Sequence, residues 1–341
     1  MKRQGVNYDV GDVVEGFHLR PAFDVQVVHR ELEIIKQDLH CNAVKICGLD
    51  VDRLMVAAED ALRQGLEVWL SPRMFEKSEE ETFAYTVQCA RAAETLRKSR
   101  PQLVFVMGCE LTLFMQGIVE GNTLMERMGN PSFWPTIKAG THNKPLNAFL
   151  TMANEAVRQV FRGQLTYASA PLETVDWSLF DFVCTDLYRE TRIKDVFGGI
   201  LKRYFAYNKP VIIGEFGCCT YQGAEDAGGM GWAIVDPEKP SQLRGDYVRD
   251  EGLQAREISD MLSIFDAAGV DGAFVYTFVS PASPNHEDPR RDLDMASYSL
   301  VKSYADAHGT TYPDMPWEPK ESFKAVADSY AAHQTQYGGN Q

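Results

Sequence analysis

Eight short apolar runs alternate with longer amphipathic segments along this chain, and no other feature restricts its fold so severely. The runs fall at residues 5–9, 42–48, 66–73, 103–110, 164–169, 182–188, 210–216 and 272–279. Helical patterns separate most of them. After Asp24, the residues Val25, Val28, Leu32, Ile35 and Leu39 share one helical face. Asp50 is placed to cap a helix bearing Leu54, Ala57, Ala58 and Leu62, with Gly65 to end it. Ser78 and Glu81 form a capping box ahead of the next helix. Further helices are predicted from near Pro145 and over about 191–206, 249–268 and 320–332. Strands that read as continuous apolar runs are buried on both faces, which points to a parallel sheet covered by helices. Right-handed crossovers repeated around eight strands close into a (β/α)8 (TIM) barrel. A doubly wound open sheet is the competing fold, but no strand is followed by a glycine-rich phosphate-binding motif.

Length agrees with one barrel domain over residues 1–341, since such barrels reach this size through long loops. The long loops are predicted after the fourth, seventh and eighth strands, over about 111–144, 216–248 and 280–295. All three belong to the face where barrel active sites are built. A net charge of -14 sets the chain against nucleic-acid backbones as partners. No run approaches the length of a membrane span, and no apolar segment follows the basic Lys2 and Arg3 to make a secretion signal. The seven cysteines include no Cys-x-x-Cys pair and several sit inside apolar runs. They read as buried thiols in a reducing, cytoplasmic compartment, with the vicinal pair Cys218–Cys219 the only redox candidate. His286-Glu287-Asp288 and Asp292-x-Asp294 have a metal-like look but lie in a charged, solvated loop, so no metal and no cofactor are expected. Nothing in the sequence indicates an oligomeric state.

Two runs end in an acid. Val106-Met107-Gly108-Cys109-Glu110 closes the fourth strand and Ile212-Ile213-Gly214-Glu215-Phe216 the seventh. A strand-end side chain projects over the barrel mouth, and the fourth and seventh strands face each other across it. Two carboxyls about 5 to 5.5 Å apart can cleave a glycosidic bond with retention, one as ionised nucleophile and the other as protonated acid.

With these residues the chain resembles the clan A glycoside hydrolases, which carry the acid/base on strand four and the nucleophile on strand seven. The segment Lys209-Pro210-Val211-Ile212-Ile213-Gly214-Glu215-Phe216-Gly217 is similar to the clan's nucleophile strand, and Leu187-Tyr188 to the end of its sixth strand. Gly5-Val6-Asn7-Tyr8 and the segment from Trp317 to Phe323 resemble its opening and closing segments. Barrels of this make-up also go under the name abortive infection proteins, a name without chemical content. The resemblance implies a retaining glycosidase or transglycosidase on a small carbohydrate or glycoside, with Glu215 as nucleophile and Glu110 as general acid/base. The chain departs from the clan in three places. Cys109 stands where an Asn usually binds the sugar 2-hydroxyl, Lys45 where Arg is frequent, and Tyr276 or Phe278 where a Trp is usual.

Other candidate substrate-site residues follow from their positions. Lys45 is a charge inside an apolar strand and needs a buried partner, for which Glu215 is available. Arg73 ends the third strand and is suited to hold a carboxylate ionised or to bind a substrate oxygen. Asn7 and Asp9 end the first strand, Tyr188 the sixth. Trp134, Trp232 and Tyr276 are rings that can stack on a sugar face. Two other functions remain compatible with this pattern. One is an isomerase, lyase or tailoring enzyme using the same acids on a small polyol or natural product. The other is a carbohydrate-binding barrel without catalysis.

Overall fold

The computed structural model describes residues 1–337. Eight parallel strands close into a barrel: β1 (Arg3–Asp9), β2 (Ala43–Gly48), β3 (Glu67–Pro72), β4 (Leu103–Cys109), β5 (Gln164–Ser169), β6 (Val183–Asp186), β7 (Val211–Phe216) and β8 (Gly272–Val275). Each pairs with its sequence neighbours and β8 returns to β1, with Gly5 beside Ala43 on one side and Phe274 on the other. Seven longer helices surround it: α1 (Val25–Gln37), α2 (Val51–Arg63), α3 (Glu79–Ser99), α4 (Asn143–Val160), α5 (Phe197–Phe205), α6 (Glu251–Ala268) and α7 (Glu321–Tyr337). Their starts follow the sequence chemistry. Asp24 and Asp50 accept from the first-turn amides of α1 and α2, and Ser78 and Glu81 complete their reciprocal box on α3.

Two cores follow from strand alternation. Outward side chains pack beneath the helices. Inward ones fill the lower barrel, where the Trp69 ring lies 4.9 Å from Phe182 and 5.3 Å from Phe274. The Arg3 guanidinium stacks on Phe182 at 5.0 Å, while Glu67 takes its Nε hydrogen and Asp271 pairs with Nη1. The barrel is therefore a packed plug below, closed by this ion-pair cluster, with a second polar group at its top. Lys45, Asn7, Asp186 and Glu215 are all buried there.

The loop pattern differs from expectation in three ways. Between β5 and β6 the ring has no α-helix, only a 3-10 turn at Trp177–Leu179. Buried Val175, Trp177 and Phe180 cover the strands there instead. The segment after β8 is longer than predicted and carries a two-stranded ribbon, Val301–Ser303 against Trp317–Pro319. A fourth elaborate loop, unremarked in the sequence, follows β1 as the ribbon Val13–Val14 with Phe17–His18.

Candidate active site

Glu215 lies near the end of β7 and is 6% exposed. Lys45 Nζ approaches its Oε1 at 3.2 Å, Arg73 Nη2 pairs with the same oxygen, and the Tyr188 hydroxyl donates to Oε2 at 3.1 Å. Burial alone would raise this carboxyl. Arg73 and Lys45 outweigh it and hold Glu215 below its ordinary value. Arg73 is itself fixed by Asp12, at 3.1 Å from Nη1.

Glu110 is held differently. It follows the last residue of β4 with φ 47° and ψ 46°, a left-handed backbone that non-glycine residues rarely adopt. Its amide still bonds Ala168 O at 2.8 Å, and the short helix Leu111–Phe114 starts directly after it. The left-handed turn breaks the strand and sends the side chain into the mouth. Among the described residues Glu110 makes no ion pair. Burial pushes its carboxyl well above the usual range, and the charges of Asp186 and Glu215 push the same way. The surroundings thus favour the charged form of one carboxyl and the neutral form of the other within one cavity.

That cavity holds about 160 Å³ and is lined by both acids together with Arg73, Tyr188, Tyr276 and Trp232. A water-sized group needs roughly 10–15 Å³ on this measure. The space therefore suits one sugar ring with part of its leaving group. Its roof is stitched across two loops. Tyr298, from the β8 loop, donates to Gly228 O at 2.7 Å and accepts from the Gly231 amide at 2.9 Å, both in the β7 loop.

Other predicted residues have different places. Asn7 is fully buried and its Nδ2 serves the carbonyls of Gly214 and Phe274, so it braces β7 and β8 from within the barrel. Asp9 Oδ1 accepts from the amides of Gly11 and Asp12, shaping the β1 loop. Lys45 is fully buried beneath Glu215, which makes it a support for that carboxylate and leaves it no surface for a substrate. Trp134 is 63% exposed, packs edge-on against Phe133 and does not line the cavity. The distance along the β4 loop is the reason: this indole sits on the separate short helix Phe133–Ala139.

Three residues that the sequence reading passed over complete the site. Asp186 ends β6 as Glu110 and Glu215 end theirs, a signal hidden because the apolar run was read through to Tyr188. It is fully buried, 3.7 Å from Lys45 Nζ, and the Cys109 thiol donates to it at 3.4 Å. Burial pushes Asp186 up to about 6, with Lys45 opposing. Asp12, raised by burial and by Asp9, lines the cavity beside Arg73. Tyr298 had no sequence signal. Gly214 is required where it stands: a Cβ there would meet Asp186 Oδ1 at 2.5 Å and Cys184 Sγ at 2.8 Å.

Among the described residues two groups bring three potential metal ligands within 4.8 Å, Asp9–Asp12–Cys47 and Cys109–Asp186–Glu215. Protein cations already serve both, Arg73 the first and Lys45 the second. Asp292 and Asp294 are tied up by Arg249, and Lys320 adds a 2.9 Å pair to Asp294, so this motif is an ion-pair network that secures the β8 loop. All seven cysteines are free and buried, and burial pushes Cys218 and Cys219 up, away from thiolate reactivity.

No helix among the described residues is long and apolar enough to cross a membrane. No family profile matches the chain, and no curated protein matches it. Solved structures do. A GH113 β-1,4-mannanase superposes with a TM-score of 0.62 at 14% identity, covering 97% of this chain and 99% of its own. A GH113 β-mannanase from Alicyclobacillus acidocaldarius gives 0.59 at 16%, covering 97% of each chain. A Bacteroides uniformis β-glucuronidase gives 0.58 at 14%, over 97% of this chain and 35% of that one. At such identities the likeness concerns the fold: this chain is built on the same (β/α)8 barrel as these clan A glycoside hydrolases.

Proposed function

We propose that the chain is a retaining glycoside hydrolase or transglycosidase acting on a small or terminal glycoside. The observation that carries this reading is the unlike setting of two acids that line one cavity: Arg73, Lys45 and Tyr188 bond Glu215, while Glu110 makes no ion pair among the described residues and is pushed up by burial. A Glu215 oxygen attacks the anomeric carbon while Glu110 gives its proton to the departing oxygen, so the glycosidic bond breaks as the enzyme ester forms. Glu110, now ionised, takes a proton from water or from an acceptor alcohol, whose oxygen displaces Glu215. No metal or cofactor is called on. Tyr188 and Arg73, which hold Glu215 before attack, release it as ester formation neutralises its charge and leaves the negative charge on Glu110. The ring of Trp232 and that of Tyr276 are the available stacking surfaces. The mannanase and glucuronidase activities of proteins with this barrel support the reaction class, and the buried free thiols suit a cytoplasmic setting.

The test is turnover of a panel of aryl glycosides by the wild type and by Glu215→Ala and Glu110→Ala. Each variant should lose at least a thousandfold in kcat while keeping its circular dichroism. Azide should restore activity to Glu110→Ala with an activated leaving group, because deglycosylation then needs no base. Full activity in either variant would refute the assignment.

A further inference from the structure

The cavity lining is of two kinds. Its polar groups are Arg73, Asp12, Tyr188 and Tyr276, of which Arg73 and Tyr188 bond Glu215. Its apolar wall is Val14, Leu19, Phe75 and Phe114. The aromatic pair of this wall stands beside Glu110. Phe114 closes the helical turn that begins at Glu110, its amide bonding Glu110 O at 3.1 Å. The rings of Phe75 and Phe114 lie 4.3 Å apart. The loops that carry them are laced together, Glu76 N to Phe114 O at 2.7 Å and Gln116 N to Lys77 O at 2.9 Å. The β1 ribbon joins them, with the Glu15 amide bonding Glu76 at 3.0 Å and Glu15 in turn accepting from the Met125 amide at 3.1 Å. Apolar surface continues outward from this wall on Phe17, paired with Val14 in the ribbon and 59% exposed.

In the proposed reaction the acid stands beside the leaving group, so the wall next to Glu110 is the wall the leaving group meets. A second sugar there would bring several hydroxyls out of water and need a partner for each. Among the described residues the cavity lining has no Ser, Thr, Asn, Gln, His or Lys side chain. Arg73, its one guanidinium, is already committed to Glu215 and Asp12. We infer that the leaving group is apolar, an arylalkyl or long-chain alkyl alcohol, and that this barrel processes glycosides of hydrophobic alcohols rather than oligosaccharides. The inference rests on the glycosidase reading above and specifies its substrate.

The test compares 2-phenylethyl, methyl and disaccharide substrates of one glycone, chosen as whichever sugar the aryl panel shows to be turned over. Methanol and 2-phenylethanol have similar acidity, so the difference between their glycosides reports binding at the wall, and the disaccharide, whose sugar hydroxyl is the more acidic leaving group, is slower only if the wall disfavours it. The 2-phenylethyl glycoside should exceed the methyl glycoside and the disaccharide at least tenfold in kcat/KM. Leu19→Asn and Phe75→Asn, made separately, should each bring the phenylethyl-to-methyl ratio below threefold. Equal rates for the three substrates, or preference for the disaccharide, would overturn the inference and leave the glycosidase assignment standing. If no glycoside is cleaved, the assignment fails instead. Calorimetric binding of the 2-phenylethyl and methyl glycosides of every sugar in the panel then decides the wall's preference, a phenylethyl advantage under tenfold counting against it.

Discussion

Lys45 shows how much one side chain can be asked to do inside a barrel. It is completely buried, yet desolvation fails to discharge it because Asp186 and Glu215 are both within 4 Å. The sequence announced this need for a partner, since a charge within an apolar strand requires one, and it also supplied the candidate Glu215. It did not announce Asp186, because the sixth apolar run reads on through this acid to Leu187 and Tyr188 and so hides where β6 ends. Lys45→Met should therefore cost about 3 kcal/mol in urea denaturation, as two carboxylates lose their buried counter-charge. The acid limb of kcat/KM should move to higher pH, because Glu215 would keep only Arg73. The sign for stability follows. A carboxyl with a lowered folded pKa stabilises above its unfolded value and loses that contribution as pH falls through the folded one. Asp186, already pushed up to about 6, would rise further without Lys45, so the stability gap between wild type and variant should be widest above that value and narrow on acidification. An unmoved acid limb would argue against Lys45 as a support of Glu215.

At the scale of elements, the strands were legible and the loops were not. Eight apolar runs specified the staves because burial on both faces leaves a strong compositional mark. The absent helix between β5 and β6 left the matching negative mark, as no helical period separates those runs. The loop contacts depend on single side chains from distant segments, and no periodicity encodes them. Tyr298 is the plainest case, its hydroxyl bridging Gly228 and Gly231 from the other loop. Tyr298→Phe should loosen the roof without touching either acid. KM is expected to rise about tenfold with kcat within threefold, and stability to fall by about 1 kcal/mol. Unchanged KM would mean that the two loops hold the cavity without this stitch.

Across the whole molecule, the sequence placed the two acids at the candidate cavity better than it described their neighbours. Strand ends point at the barrel mouth by geometry, so Glu110 and Glu215 could be placed there from their positions alone. Asn7 and Trp134 show the limit of that logic. The first turned inward to serve backbone carbonyls, and the second is carried away by its own helix. In the proposed reaction Glu110 also sets folding against function for the chain as a whole. Its left-handed backbone and its buried carboxyl, pushed well above the usual range, both lower the stability of the folded state at neutral pH. Glu110→Gly would relax the first and remove the second, for a gain of about 1 kcal/mol and a melting temperature higher by about 2 °C. A library randomised at this codon would then split by the question put to it. Survivors of heat challenge should converge on glycine, survivors of a growth screen for turnover on glutamate, and convergence of both on glutamate would show that the turn bears no such tension.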